Sequence, residues 1–518
     1  MIQIYSKRFL LCFLLVLSLL SAKGISNKNE EPAYSFYIHQ REYDKISDDL
    51  AGSKWLCVML GVCTSTWTPS GSIPSHTGGG ISEVFQWSQL EFDYPSERDR
   101  QQDIASGIFE PGHPTPIDVD VYYGPREELN KVFITIPRAQ KGIPVTLGTI
   151  TKKYSTDGNP IIKPYPSWKW QRNPHRCQRD RIVSVYRIQI DECGRLWVLD
   201  TGRIEDDQIC LAQILAFDLQ TDTLLYRYEI PSSQLEDRSI LVTPIVDVRD
   251  DKCKDTFVYV ADCQTFSIIV YNPRLGVSWK ATDKTMYPYP NFGTYDIQGN
   301  SFDLMDGVLG MALSPYKPGS DRKLFYHAMS SGTENFVYTS DIRNHTRFYS
   351  DPESSPEIFS VYKGTRPSQS AAEAIDKDGI AYFGLMHETT LNCWNTATEY
   401  GPENIDTISY NPKTLQFISG IKVITNPLLG YQELWFISNR FQKVATDTLS
   451  TYEINFRIQT ARVDDVLKGT KCKTWSSSNY YPSTTVQGSY GLYKPRGSSK
   501  SLPLRVNNQN GDSLVFVN

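Results

Sequence analysis

The chain has 518 residues, with 53 Lys and Arg against 58 Asp and Glu, for a formal charge of −5. That balance is too mild for a nucleic-acid or polyanionic partner. No basic stripe, zinc-finger spacing, Walker glycine pattern or Rossmann fingerprint is present, so nucleic-acid binding is excluded as a class and one large secreted domain fits the composition.

At the N-terminus, Lys7 and Arg8 precede the apolar run FLLCFLLVLSLL, and Ser21-Ala22-Lys23-Gly24 follows it. A basic flank, an apolar core and small closing residues describe a secretory signal peptide over residues 1–22. The run is shorter than the ~20 residues that a membrane span needs. With no other long apolar run, the mature protein is expected to be soluble and extracellular, with no membrane span. Residues 23–83 carry charge clusters, SGSIPSH and Gly78-Gly79-Gly80, and are expected to be poorly ordered. Within them Cys57 and Cys63 bracket a short apolar piece and read as a local disulfide in an oxidising compartment.

The propeller-like part is expected over residues 84–472. FQWSQLEF alternates in polarity and suits a strand that closes a ring of sheets against its last member. IDVDVYY, KVFITIPR and VTLGTI follow. The stretch from Val183 to Pro231 then sets the pattern. SVYRIQI alternates and ends at Asp191-Glu192-Cys193-Gly194, a tight turn in which Gly takes positive φ. LWVLD is continuously apolar, as a strand covered on both faces is. ILAFDL and LLYRYEI complete four short antiparallel strands, too small a sheet to bury both faces alone.

Copies come after it: TFVYVADC, SIIVYN and VSWKAT; VLGMALSP, KLFYHAMS and FVYTSDI; EAIDKDGIAYFGLM with LNCWN; and DTISYNP, LQFISGIKV and ELWFISN. IDECGRLW recurs as IDKDGIAY. Repeats of roughly 40–60 residues with several strands each point to an all-β, six-bladed β-propeller. Five or seven blades fit if residues 411–461 are divided differently. The tail over 473–518 is rich in Ser, Tyr, Pro and Gly and is expected to be disordered.

Seven cysteines lie beyond residue 80, an odd count that leaves one thiol over. Strand direction restricts their pairing. Cys193 and Cys253 both stand just before the second strand of adjacent blades, so they share one end of the disc. Cys177 and Cys210 share the other end, and Cys393 with Cys472 would tie down the last blade. The expected set is therefore 193–253, 177–210 and 393–472, with Cys263 free. Asn344-His345-Thr346 is an N-glycosylation sequon between the third and fourth strands of a blade.

SVYRIQIDECGRLWVLDTG, QILAFDL, DGVLGMALSP, CWN, and ELWFISNRFQ followed by NFRI resemble the yellow/major royal jelly protein family of insects, over roughly residues 84 to 472. The resemblance implies a six-bladed propeller, secretion, and a ligand pocket at one mouth of the central channel. It does not imply one activity. Members are linked to cuticle pigmentation and melanin formation, to dopachrome conversion, to binding of biogenic amines in saliva, and to food storage. The N-terminal insert with Cys57 and Cys63, Cys263 in the ADC position and the long tail depart from the usual pattern.

The second strand of each blade ends at Arg138, Asp200, Asp262, His327, His387 or Asn439. Equivalent ends lie at one face, so the six form a candidate polar ring for a small cationic or zwitterionic ligand. Strand ends are also polar simply where they meet solvent. In amine-binding relatives a Thr on the preceding strand and the Asn and Phe of an SNxF-like segment hold the ligand. Here the resemblance implies Thr425, Asn439 and Phe441, with Phe441 stacking on an aromatic ring.

Two functions are carried forward. One is a secreted binder of a small aromatic amine or catechol-derived ligand, acting in pigmentation or surface structure, with cuticle or matrix contacts for the insert and tail. The other is a dopachrome-converting isomerase, with His327 or His387 as base and Arg138 beside a quinone oxygen. No complete catalytic set is visible, and GxSxG is absent. No cofactor is expected, and no metal, because Arg138 and two histidines in the ring make a poor hard-cation cage.

Overall fold

The computed structural model describes residues 80–473. The expectations for residues 1–22, for Cys57 with Cys63, and for the tail beyond residue 473 lie outside the described residues.

The recurring joint sets the register of each blade. Strand Val185–Ile190 turns into Arg195–Asp200 through Asp191, whose Oδ1 accepts the amides of Cys193 and Arg195, both at 3.0 Å. Gly194 sits at φ +71°, which the turn requires and a β-carbon would oppose. Asp376 repeats the device on Asp378 and Ile380, both at 2.9 Å, with Gly379 at φ +84°. The other oxygen of each aspartate takes an aromatic donor from the second strand: Trp197 Nε1 at 2.8 Å on Asp191, Tyr382 Oη at 2.7 Å on Asp376. Asp247 and Tyr259 make the same link at 3.1 Å in a third blade. A one-residue slip would break every such bond, so the turns and the aromatics specify one register.

Six sheets of four or five strands result, and together they form a six-bladed β-propeller. Their innermost strands are Asp118–Tyr122, Val185–Ile190, Leu241–Val248, Val308–Leu313, Glu373–Ile375 and Phe417–Thr425, adjoining one another around the axis. We number the blades 1 to 6 in that order. Second strands such as Arg195–Asp200 and Thr256–Asp262 are buried along their whole length, because neighbouring blades cover both faces. The core is accordingly a set of apolar clusters between blades, with Trp87, Trp197, Trp394 and Trp435 fully buried among them.

The ring is closed by strand Ser82–Trp87, which pairs antiparallel with Phe456–Arg462 as the outermost strand of blade 6. It begins two residues before the Val84 expected from sequence. Trp87 anchors it from both sides, opposite Phe456 and donating Nε1 to the Pro160 carbonyl of blade 1 at 2.8 Å. Burying one such side chain is worth roughly 3 kcal/mol. The rest of the FQWSQLEF run goes elsewhere: Glu91–Phe92 adds in parallel to Pro160–Pro164 of blade 1.

Disulfides join Cys177 to Cys210, Cys193 to Cys253 and Cys393 to Cys472, and Cys263 is free and buried. Asn344 is exposed between strands Asn335–Tyr338 and Phe359–Val361 of blade 4. Among the described residues no helix is long and apolar enough to cross a membrane. Among the elements with no counterpart in the sequence reading is a hairpin, Thr294–Ile297 with Asn300–Asp303, inserted between blades 3 and 4.

Candidate functional site: the central channel

Alternation on the innermost strands decides what faces the axis. Arg187, from SVYRIQI of blade 2, points inward and crosses the channel. Its Nη1 donates to Thr243 Oγ1 of blade 3 and to the Leu309 carbonyl of blade 4, both at 2.8 Å. Its Nη2 donates to the Ala371 carbonyl at the start of blade 5 (3.2 Å) and to the Ser419 carbonyl of blade 6 (2.6 Å). One buried guanidinium thus ties five blades together and separates the two mouths of the channel. A planar five-donor fork is suited to this task, and an ammonium is not.

On the side where first strands turn into second strands, a cavity of about 730 Å³ opens. Asp118 and Asp120, two residues apart on IDVDVYY, share its wall with Glu373, Tyr122, Tyr123 and Lys422. Asp118 Oδ2 accepts from Lys422 Nζ at 3.0 Å and from the Ile188 amide at 3.1 Å. Asp120 accepts the Ile190 amide at 2.7 Å and the Val121 amide at 2.8 Å. Burial outweighs those bonds and pushes the Asp120 carboxyl up to about 7. Thr425, the last residue of its strand, also lines this cavity.

The opposite mouth is aromatic and closed. Asn439 donates Nδ2 to Ser419 Oγ at 3.1 Å and to the Pro116 carbonyl at 3.2 Å, while its Oδ1 accepts the Phe441 amide at 3.0 Å. Phe441 packs on Phe417 (5.1 Å between centroids) and edge-on to Phe302 (5.6 Å) of the inserted hairpin. Besides this contact with Phe441 of blade 6, the hairpin is held over this mouth by hydrogen bonds from blades 4 and 5. Tyr295 bonds Ser330 at 2.7 Å, Gln369 donates to the Phe292 and Thr294 carbonyls at 2.9 Å, and His387 Nδ1 meets the Asp296 carbonyl at 3.0 Å.

The residues singled out from sequence are therefore divided. Asn439 and Phe441 come together, but Thr425 stands opposite Gln432 at the far end of the same strand pair, in which Asn439 faces Phe417. The hydroxyl beside Asn439 is Ser419, at a β-bulge between Ile418 and Gly420 that displaces the register. The second-strand ends do not form a shared polar ring open to a ligand. Asp200 accepts the amides of Val183, Ser184 and Gly202 and the Gln213 side chain at 2.8–3.1 Å. Burial raises its pKa nonetheless. Asp262 caps Ile240, Gln264 and Thr265 in the same manner.

Arg138 spends its guanidinium on the carbonyls of Ile143, Ile182, Val183, Pro144 and Gln171, and burial lowers its pKa to about 10. His387 is exposed. His327 is buried, with Nδ1 3.0 Å from Glu334 Oε2 and 3.7 Å from Glu373 Oε2. Burial, aided by the charge of Arg366, lowers the His327 pKa; burial and the charge of Glu334 hold Glu373 well above the usual carboxylate range. Arg187, Asp118, Asp120, Glu373 and Ser419 were missed. For the first three the signal was present: charged residues at inward positions of innermost strands.

The architecture is that of a channel-bearing propeller with one plugged axis, one open acidic cavity and one lidded aromatic mouth. A family model described as Major royal jelly protein matches residues 183–472. Major royal jelly protein 9 of Apis mellifera is 36% identical over 403 residues, covering 75% of this chain and 89% of that protein. Dopaminechrome tautomerase of Drosophila melanogaster is 31% identical over 397 residues, covering 75% and 83%. Protein yellow of Drosophila melanogaster is 31% identical over 420 residues, covering 80% and 74%. The chain belongs to the major royal jelly protein family.

Proposed function

We propose that this protein is secreted and binds a small aromatic amine or catechol-derived ligand in the channel cavity, acting in pigmentation or in surface structure. The observation that carries the reading is the cavity of about 730 Å³ walled by Asp118, Asp120 and Glu373 and floored by Arg187. Its size falls in the range of small-molecule sites. Asp118 and Asp120 suit an ammonium group, and Tyr122 and Tyr123 offer ring faces. Secretion is supported by the signal-peptide pattern of residues 1–22 and by three disulfides, which persist in an oxidising compartment. Pigmentation is supported by relatives whose names are Protein yellow and Dopaminechrome tautomerase.

A second reading, isomerisation of a dopachrome-like quinone, draws on the Asp120 carboxyl held at about 7. Such a group takes a proton from a ring-adjacent carbon and returns one to a quinone oxygen without net oxidation. The test is titration of the secreted protein with dopamine by calorimetry, followed by decay of dopachrome absorbance. Saturable binding weakened at least about tenfold by Asp120→Asn, and not by Asn439→Ala, is expected. Binding lost in Asn439→Ala alone would move the ligand to the lidded mouth. Dopachrome decay no faster than buffer would remove the isomerase.

A further inference from the structure

We propose that His327, Glu334 and Glu373 form a binding site for one divalent transition-metal ion of the zinc class, buried behind the channel wall between blades 4 and 5. The three side chains come from distant parts of the chain. His327 lies on the second strand of blade 4, Glu334 just before its third strand, and Glu373 opens the innermost strand of blade 5. Their ligand atoms lie within 4.8 Å of one another. Nδ1 of His327 stands 3.0 Å from one carboxylate oxygen and 3.7 Å from the other. Ligands bound to one tetrahedral ion at about 2.0–2.1 Å are separated from each other by roughly 3.3 Å. The observed spacings straddle that value before any ion has drawn the groups together.

A second observation is independent of those distances. The Glu373 side chain is 3% exposed, and its Oε2 has His327 Nδ1, at 3.7 Å, as an ion-pair partner among the described residues. Oε1 of Glu334 and Oε1 of Glu373 are both buried without a partner among the described residues, as is the Ser370 hydroxyl that stands close by in the chain. Burying a carboxyl with nothing to bond it is costly, so an unpartnered carboxyl aimed at a histidine and a second carboxylate calls for a ligand. One imidazole nitrogen with two carboxylate oxygens is a donor set for zinc and its neighbours rather than for calcium.

The surroundings hold the ligands in place. Arg366, itself buried, lies 3.6 Å from Glu334 Oε2 and is fixed by the carbonyls of Thr333, Ala328 and Ser331. It balances one of the two carboxylates and orients Glu334, as partners behind metal ligands do. Gly310 fixes the imidazole: a β-carbon there would meet His327 Nε2 at 2.3 Å, so only glycine lets the ring lie against this strand. Glu373 also lines the open cavity, which gives an ion a route from solvent.

The experiment uses the full-length secreted protein without an affinity tag, stripped with a chelator and titrated with Zn²⁺ alone and Co²⁺ alone. Metal content after gel filtration should be about one ion per chain, and Co²⁺ should give the intense visible bands of a low-coordinate site. Glu373→Gln and His327→Gln should each weaken binding at least about tenfold, while His345→Gln, at an exposed histidine, should leave stoichiometry unchanged. Wild-type protein that stays metal-free, or an ion retained in both variants, would overturn the proposal. If either variant fails to fold, the wild-type Co²⁺ spectrum decides: octahedral, weak bands place the ion on surface carboxylates and reject the site.

Discussion

Arg187 of blade 2 donates to the backbone carbonyl of Ser419 in blade 6 at 2.6 Å, across the full width of the channel. The same guanidinium serves Thr243, Leu309 and Ala371, so five blades share one cation on the axis. A propeller has no other place where so many blades can meet one side chain. Replacing Arg187 by Ala leaves several buried acceptors unpaired, each costing about 1–3 kcal/mol. Arg187→Ala is expected to lose more than about 3 kcal/mol in urea unfolding, and Arg187→Lys nearly as much, since an ammonium cannot span four acceptors. A lysine variant as stable as the wild type would show that the charge matters and the fork does not.

Asp120 gives the protein a pH dependence of defined sign. Its carboxyl is held at about 7 in the fold against an ordinary 3.8, so the folded state binds that proton more tightly than the unfolded chain. Stability from this group is present in full below about pH 4 and is lost as pH rises toward 7. The upper bound is about 4 kcal/mol for a shift of this size. Asp306, buried and also raised to about 7, acts in the same direction. The informative quantity is the stability of wild type minus Asp120→Asn, measured by urea unfolding at pH 4.5 and 7.5. It should be more favourable at the lower pH; a difference independent of pH would mean that Asp120 is ionised throughout.

The fold was far more legible than the site, for a physical reason. Blade strands announce themselves through apolar runs, and the joints through Asp-x-x-Gly turns, because those signals are local. The disulfides followed from strand direction, which two-fold alternation along the chain fixes. The site depends instead on which face each strand end meets. Asp200 and Asp262 looked like ligand residues, yet both are consumed by backbone amides, Ser184 and Gly202 on Asp200 and Thr265 on Asp262. Thr425 was set beside Asn439 by the family resemblance, yet the two strands run antiparallel, so the end of one strand lies far from the end of the other and Thr425 faces Gln432. Nothing local marks Thr294–Asp303 as a lid, since its packing partners, Ser330, Gln369, His387 and Phe441, are distant in sequence.

That lid should loosen when its aromatic clasp is removed. Phe302 stacks on Tyr295 at 4.8 Å and meets Phe441 edge-on at 5.6 Å. Each such pair is worth about 0.5–1.5 kcal/mol beyond its buried area. Phe302→Ala is expected to speed amide hydrogen exchange over residues 294–303 by tenfold or more, roughly the effect of 1.4 kcal/mol, and to leave exchange in blade 2 unchanged. Equal acceleration in both regions would mean that the variant weakens the whole propeller and that the hairpin does not open on its own.

The disulfides should differ in what they contribute. Cys393–Cys472 closes 79 residues and both sulfurs lie in the core, whereas Cys177–Cys210 closes 33 and Cys177 is exposed. Loop-closure entropy alone predicts about 4.5 kcal/mol for the longer loop and about 3.7 kcal/mol for the shorter. Position widens the gap. Cys472 stands at the end of the described chain, just past the short helix Val463–Val466, and its bond to blade 5 keeps Val463 and Leu467 in the apolar cluster between blades 5 and 6. Paired Cys→Ala replacement at 393 and 472 should therefore lower the unfolding midpoint more than replacement at 177 and 210, and should free residues 463–473 to limited proteolysis. The reverse order would mean that strand Ser82–Trp87 closes the ring by itself, with the C-terminal tether adding nothing.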